Sequence, residues 1–237
     1  MYLLLNTHFK GVKPEVFHAD LAEKNWVILL EDDQQKMLQG FSTIKMSKTE
    51  FDGEVISVVY SGDTIVDPNS WTSSVLSKTW IQAVNQLRQK YVREKLYWLL
   101  ICSGYRTYRF LPTFTKEFYP RYDAPTPTNT QALINFLCQN QFGKYYNEKA
   151  GIVHFSTPQV LRDGLIEIPE ERLKNPHINY FLQKNPGYIQ GDELVCLTEF
   201  SEENLTSAGK RIWATDLVTA LTDKLSPEGE ISLYLTR

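Results

Sequence analysis

A carboxylate beside a break in a strand is the first feature here that could do chemistry. In Ser61-Gly62-Asp63 a glycine interrupts an otherwise good strand that starts at Glu54 and resumes as Thr64-Ile65-Val66. A glycine in a strand suggests a bulge or a close backbone approach. Asp63 is then either a carboxylate in a cleft or an ordinary turn aspartate. Glu54 is the alternative carboxylate on the same strand. Tyr105 and Tyr108 stand three residues apart and share one face of a short helix. Arg106 and Arg109 project from that helix, where they could grip a phosphate or carboxylate bidentately or pair with surface acids. Thr72, Ser73 and Ser74 open a long helix; their hydroxyls could cap it and help its free N–H groups hold an anion.

Other chemistries lack their spacing. His8, His18, His154 and His177 lie far apart and form no motif. Cys102, Cys138 and Cys196 include no CxxC pair and no zinc spacing with histidine. No Ser-His-Asp order and no phosphate-cradling glycine loop is visible. The three cysteines sit in or beside apolar runs and read as small buried hydrophobes in a reducing, cytoplasmic compartment. The net charge of −3 lacks the basic excess that nucleic-acid binding requires, so no nucleic-acid partner is expected. Met1-Tyr2-Leu3-Leu4-Leu5 has neither a basic leader nor a long apolar run, and no stretch is long enough to span a membrane.

The elements that must position these residues read as a mixed α/β fold. An amphipathic helix over Pro14 to Lys24 precedes a strand, Trp26 to Leu30. A polar turn, Glu31 to Lys36, leads to a second strand, Met37 to Met46. After the interrupted strand, Leu76, Trp80, Ala83, Val84, Leu87 and Tyr91 share one face of a helix over Ser73 to Arg93. Leu96 to Cys102 is apolar almost throughout, as a strand covered on both faces must be. Strand, helix and buried strand imply a parallel pair joined by a right-handed crossover. A helix over Tyr105 to Leu111 is expected to end at Pro112. The loop Asp123 to Asn129 is the candidate boundary, dividing the chain into 1–122 and a C-terminal extension, 123–237. Beyond it the pattern gives a helix, Gln131 to Gln139, strands at Ile152 to Phe155 and Leu194 to Leu197, a helix over Leu205 to Leu225, and a last strand, Ile231 to Leu235.

The order of these pieces resembles the core of the GNAT acyl-CoA N-acyltransferase superfamily over about residues 14 to 122. The resemblance is carried by Phe17-His-Ala-Asp20-Leu21-Ala-Glu-Lys24, Trp26-Val-Ile-Leu-Leu30, Gly40-Phe-Ser-Thr43, Ser61-Gly-Asp-Thr-Ile-Val-Asp-Pro68 and Ser103-Gly-Tyr-Arg-Thr-Tyr-Arg-Phe-Leu-Pro112. It implies a GNAT-like central mixed sheet flanked by helices, with acyl-CoA as co-substrate lying in a V between the interrupted strand and the strand after the long helix. The strand backbone ending at Val66 would hold the pantetheine arm. Thr72, Ser73, Ser74 and Arg106 would receive the phosphates. Tyr108 would protonate the departing thiolate, and Asp63 would take the proton from a small-molecule or peptide amine. The family's glycine loop with an Arg or Gln at its head is absent; Trp71 and Val75 put bulk there instead. That departure leaves a second expectation beside the transferase: a GNAT-like fold kept as a catalytically inactive binding or scaffolding module.

Overall fold

A computed structural model describes residues 1–32, 37–68, 75–162, 164–215 and, as backbone alone, 231–236. In chain order the elements are α1 (Tyr2–His8), β1 (Phe9–Lys10), α2 (Pro14–Ala22), β2 (Trp26–Glu31), β3 (Leu38–Phe51) and β4 (Glu54–Val66). Then come α3 (Val75–Tyr91), β5 (Lys95–Cys102), α4 (Tyr105–Tyr108), α5 (Phe110–Phe114), α6 (Thr128–Phe142), β6 (Tyr146–Asn147) and β7 (Ile152–Val153). The chain continues with β8 (Val160–Leu161), α7 (Pro176–Lys184), β9 (Glu193–Glu199), α8 (Ser207–Trp213) and β10 (Ile231–Thr236).

Among the described residues eight strands form one mixed sheet in the order β10-β2-β3-β4-β5-β9-β7-β6. β3 and β4 meet through a two-residue turn in which Asp52 and Gly53 both take positive φ, as an Asp-Gly hairpin requires. β4 and β5 run parallel, joined over the sheet by α3, so the crossover expected from the sequence forms. The segment after residue 122 does not fold back on itself alone. Its β9 pairs antiparallel with the whole inner length of β5, and β10 lies parallel to β2.

Alternation along the strands builds a core on each face. Val59, Trp98 and Leu100 face α3 together with Leu76, Trp80, Val84 and Leu87. Ile56, Val58, Tyr60, Leu99, Val195 and Leu197 face α6, where Leu133, Ile134, Leu137 and Phe142 meet them. A third cluster closes the end near α1 and α2, with Leu5 and Phe17 against Phe41 and Ile65. α3 buries more than the stripe read from the sequence. Thr79, Ile81 and Asn85 are also buried, because α8 packs along it and Asn85 Nδ2 donates to the Trp213 carbonyl at 3.3 Å.

Several expectations need correcting. Pro112 does not end a helix; it is the third residue of α5, in a first turn whose N–H groups have no intrahelical partner to lose. α1, α7 and the small β1–β8 ribbon are additional elements. The helix expected over Leu205 to Leu225 is α8, which ends at Trp213 with Ala214 as its cap, and residues 216–225 lie outside the described residues. So do most of the turn from Glu31 to Lys36, and Trp71, Thr72, Ser73 and Ser74.

The interrupted strand carries the feature that matters most. Ser42 faces Thr64 while Ile44 faces Ser61, so two steps along β3 match three along β4. The extra residue is a bulge at Gly62-Asp63, the outcome the glycine foreshadowed. The close approach is real as well. A Cβ on Gly62 would stand 2.5 Å from Lys24 Cε and 2.6 Å from Thr43 Oγ1. Gly62→Ala is therefore expected to destabilise the fold by about 1–3 kcal/mol through overpacking. Denaturant unfolding measures it; an unchanged midpoint would show that the contact yields freely.

Candidate functional site

The bulge ends the partnership of β4 and β5. Their parallel register runs from Ile56 with Lys95 to Ser61 with Leu100, and no pairing continues beyond it. β4 goes on to Val66 against β3, and β5 goes on to Cys102 against β9. The two strands thus diverge, each tied to its other neighbour. The apex of the V is fixed by Trp98, whose Nε1 donates to Ser61 Oγ at 2.9 Å and whose ring stacks on Trp80 at 4.1 Å.

A cavity of about 660 Å³ occupies the opening, with walls from both strands, from α3, from the segment 103–107 and from the chain beyond residue 122. Its two sides differ in chemistry. Toward α3 the wall is apolar and aromatic, made by Leu76, Trp80, Trp98 and Phe110, with Tyr105 and Arg106 beside them. Toward α6 it carries Asp20, Tyr60, Asp63 and Glu193, with Tyr145 and Phe155.

The acidic side is held by a buried lysine. Lys24 Nζ meets Asp20 Oδ1 at 2.5 Å and the Asp20 carbonyl at 3.1 Å, and it lies 5.6 Å from the centre of the Tyr60 ring. One ammonium therefore serves one carboxylate directly, and two carboxyls remain. Burial, with Asp20 adding repulsion against the attraction of Lys24, pushes Asp63 up from 3.8 to about 6. Burial, with Asp63 and Asp20 adding repulsion, pushes Glu193 up from 4.5 to about 8. Both carboxyls are half-buried and reach solvent through the cavity they line. Neutralising the charge costs less there than desolvating it.

The residues singled out from the sequence fall into separate groups. Asp63, Val66 and Arg106 lie on the cavity wall. Arg106 stacks over the Tyr105 ring at 4.8 Å and donates to the Leu165 carbonyl at 3.3 Å. Tyr108 lies behind the wall. Its side chain is fully buried, and its hydroxyl donates to the Pro120 carbonyl at 2.9 Å. Burial raises its pKa far above that of a free tyrosine, so it is placed as a packed core residue rather than as an acid facing the cleft. The helix-mate Tyr105 is the tyrosine on the cavity surface. Glu54 is exposed at the far end of β4, paired with Lys95 at 3.3 Å. Lys24, Tyr60 and Glu193 were not anticipated. Glu193 comes from a strand that enters the sheet 93 residues after Leu100, counting 193 − 100, so no local signal could announce it. Lys24 read only as the end of an amphipathic helix.

Comparison with known proteins adds little to this geometry. No family model and no curated protein matches the chain. The chain is similar to a solved structure of a mutant AtaT toxin bound to the C-terminus of the antitoxin AtaR and acetyl-CoA. That similarity has 15% identity and a TM-score of 0.28, and covers 34% of this chain and 54% of that one. The match therefore spans about half of that protein's chain. Among the described residues no helix is long and apolar enough to cross a membrane.

The raised carboxyls fix a sign for the pH dependence of stability. The folded chain holds the protons of Asp63 and Glu193 more tightly than the unfolded chain does. Their contribution is thus fully present below the unfolded values and is lost as pH rises through about 6 and then about 8. Glu193→Gln is therefore expected to be more stable than the parent chain above about pH 8, the difference fading to nothing below about pH 4.5. Paired thermal melts across that range test it; a constant difference would mean that Glu193 does not titrate in the cavity.

Proposed function

We propose that this protein transfers an acyl group from acyl-CoA to an amine, using the V between β4 and β5. The observation that carries the reading is the end of pairing at Ser61 and Leu100, with a cavity of about 660 Å³ in the gap. An extended pantetheine arm presents amides, and the unshared edge of a strand is the complement such amides need. The α3 side, with Leu76 and Ser77 at the head of that helix, would receive the CoA portion. The start of a helix favours phosphate oxygens. The α6 side, with its carboxyls, would receive the amine.

In this scheme the amine nitrogen attacks the thioester carbonyl and gives its proton to Asp63. The C–S bond breaks, and the thiolate takes a proton from Tyr105, the tyrosine on the α3 side of the wall. Asp63 suits the first task because its value of about 6 leaves it ionised at neutral pH yet basic enough to accept a proton. Two observations favour the inactive, scaffolding alternative: the Tyr108 hydroxyl is already committed to Pro120, and Val75 stands at the head of α3, where the family's glycine loop would let the backbone approach phosphate.

Titration with acetyl-CoA and longer acyl-CoAs decides between the two. The transferase reading expects calorimetric binding and a rise in melting temperature; silence with every acyl-CoA leaves the scaffold. Given turnover, kcat/KM should rise with pH through about 6 as Asp63 loses its proton. Asp63→Asn should lower kcat by about 10²–10⁴-fold. The tyrosines should separate: Tyr105→Phe retains acyl-CoA affinity and loses turnover, whereas Tyr108→Phe retains turnover and loses only the bond to Pro120. The reverse outcome would move the acid to Tyr108.

A further inference from the structure

Acyl transfer of the kind proposed needs one carboxylate at the amine, and the cavity contains a second without a partner. Asp20 is met by Lys24 at 2.5 Å. Glu193 meets no hydrogen-bond donor and no cation among the described residues, and the charged groups that act on it, Asp63 and Asp20, are themselves acids. Its place is fixed by the sheet. Glu193 heads β9 opposite Val153, and its side chain falls on the α6 face by alternation with Val195 and Leu197. Around the same space stand Tyr60, with Lys24 over its ring, and the contacting rings of Tyr145 and Phe155, 5.7 Å apart.

A half-buried carboxyl with no partner, set among other acids, is costly to keep charged. Hydrogen bonding from the protein does not relieve Glu193, and packing does not, since it opens onto a cavity. A positively charged ligand would relieve it, and aromatic faces favour the methylenes and cationic ends of such a ligand. We infer that Glu193 binds a second positive charge on the acceptor, so that the protein selects linear dicationic amines over monoamines, with Asp63 at the reacting nitrogen and Glu193 at the distal ammonium. This assignment rests on the transfer reading for the role of Asp63. The structure itself supplies the surplus carboxyl.

The test leaves acyl-CoA out. The full chain is titrated calorimetrically with n-butylamine and with 1,4-diaminobutane at about pH 8.5 and about pH 5.5, bracketing the range in which Glu193 gains its charge. The diamine is expected to bind on the order of tenfold more tightly at the higher pH, with a smaller gap at the lower one. Glu193→Gln, which copies the shape of the protonated side chain, is expected to close the gap at both. Equal affinities at the higher pH, no measurable diamine binding, or a gap that survives in Glu193→Gln would overturn the inference. The two-pH comparison needs no variant, so a folding defect in Glu193→Gln leaves the test intact. A chain that prefers diamines but binds no acyl-CoA would sink the transfer reading alone. One that binds acyl-CoA and ignores the second ammonium would sink this inference alone.

Discussion

A strand with one residue more than its partner cannot stay in register with neighbours on both edges. In β4 the extra residue sits at Gly62-Asp63, and the strand keeps β3 and lets β5 go. Everything at the cavity depends on that choice. Hydrogen bonds to β3 resume at Thr64, while β5 is held by β9 through Cys102, so neither strand can close the gap without giving up a ladder it already has. The V is thus maintained by pairing elsewhere in the sheet. Gly62 is the residue that allows it, because its missing side chain leaves room for Lys24 and Thr43. The Trp80–Trp98 stack with Ser61 then caps the point where the strands part.

The same bulge sets the electrostatics. It turns Asp63 toward a space already bordered by Asp20 and Glu193, where the ammonium of Lys24, from the turn after α2, is engaged with Asp20. Burial, with three acids set against one base, raises two of these carboxyls, Asp63 to about 6 and Glu193 to about 8. Such an arrangement lowers the stability of the empty protein above neutral pH. Perturbed carboxyls in a cleft are also where proton transfer and cation binding are found. Stability and function pull in opposite directions at this site.

Local pattern was enough to reveal the part of the fold that is locally encoded. The stripe Leu76, Trp80, Val84 and Leu87 reads as a helix because its period survives in the packed protein. The apolar run of β5 reads as a covered strand, and Gly62 reads as a bulge. From these the parallel crossover followed, whereas the splayed pair was implied only by the family resemblance. The residues brought together by distant parts of the chain did not follow. Glu193 joins the site only because β9 slots in beside β5, and Lys24 looks solvent-facing until the bulge folds over it. Tyr105 and Tyr108 show the limit within a single helix turn. Sequence spacing places both on one face, but the strand-like bridge from Tyr119 to Leu197 brings the Pro120 carbonyl to Tyr108, and only Tyr105 is left at the cavity. Pro112 misled for a related reason: a proline stops a helix from within and is tolerated in its first turn.

Amide hydrogen exchange with and without acetyl-CoA tests the central claim most directly, since it reads the strand edges themselves. Slowed exchange on addition of acetyl-CoA is expected within Gly62 to Val66 and from Ile101 to Gly104, the diverging stretches, with Ile56 to Ser61 unchanged because those residues are already paired. Protection confined to other elements, or exchange in the diverging stretches unaltered at saturating acetyl-CoA, would contradict the account.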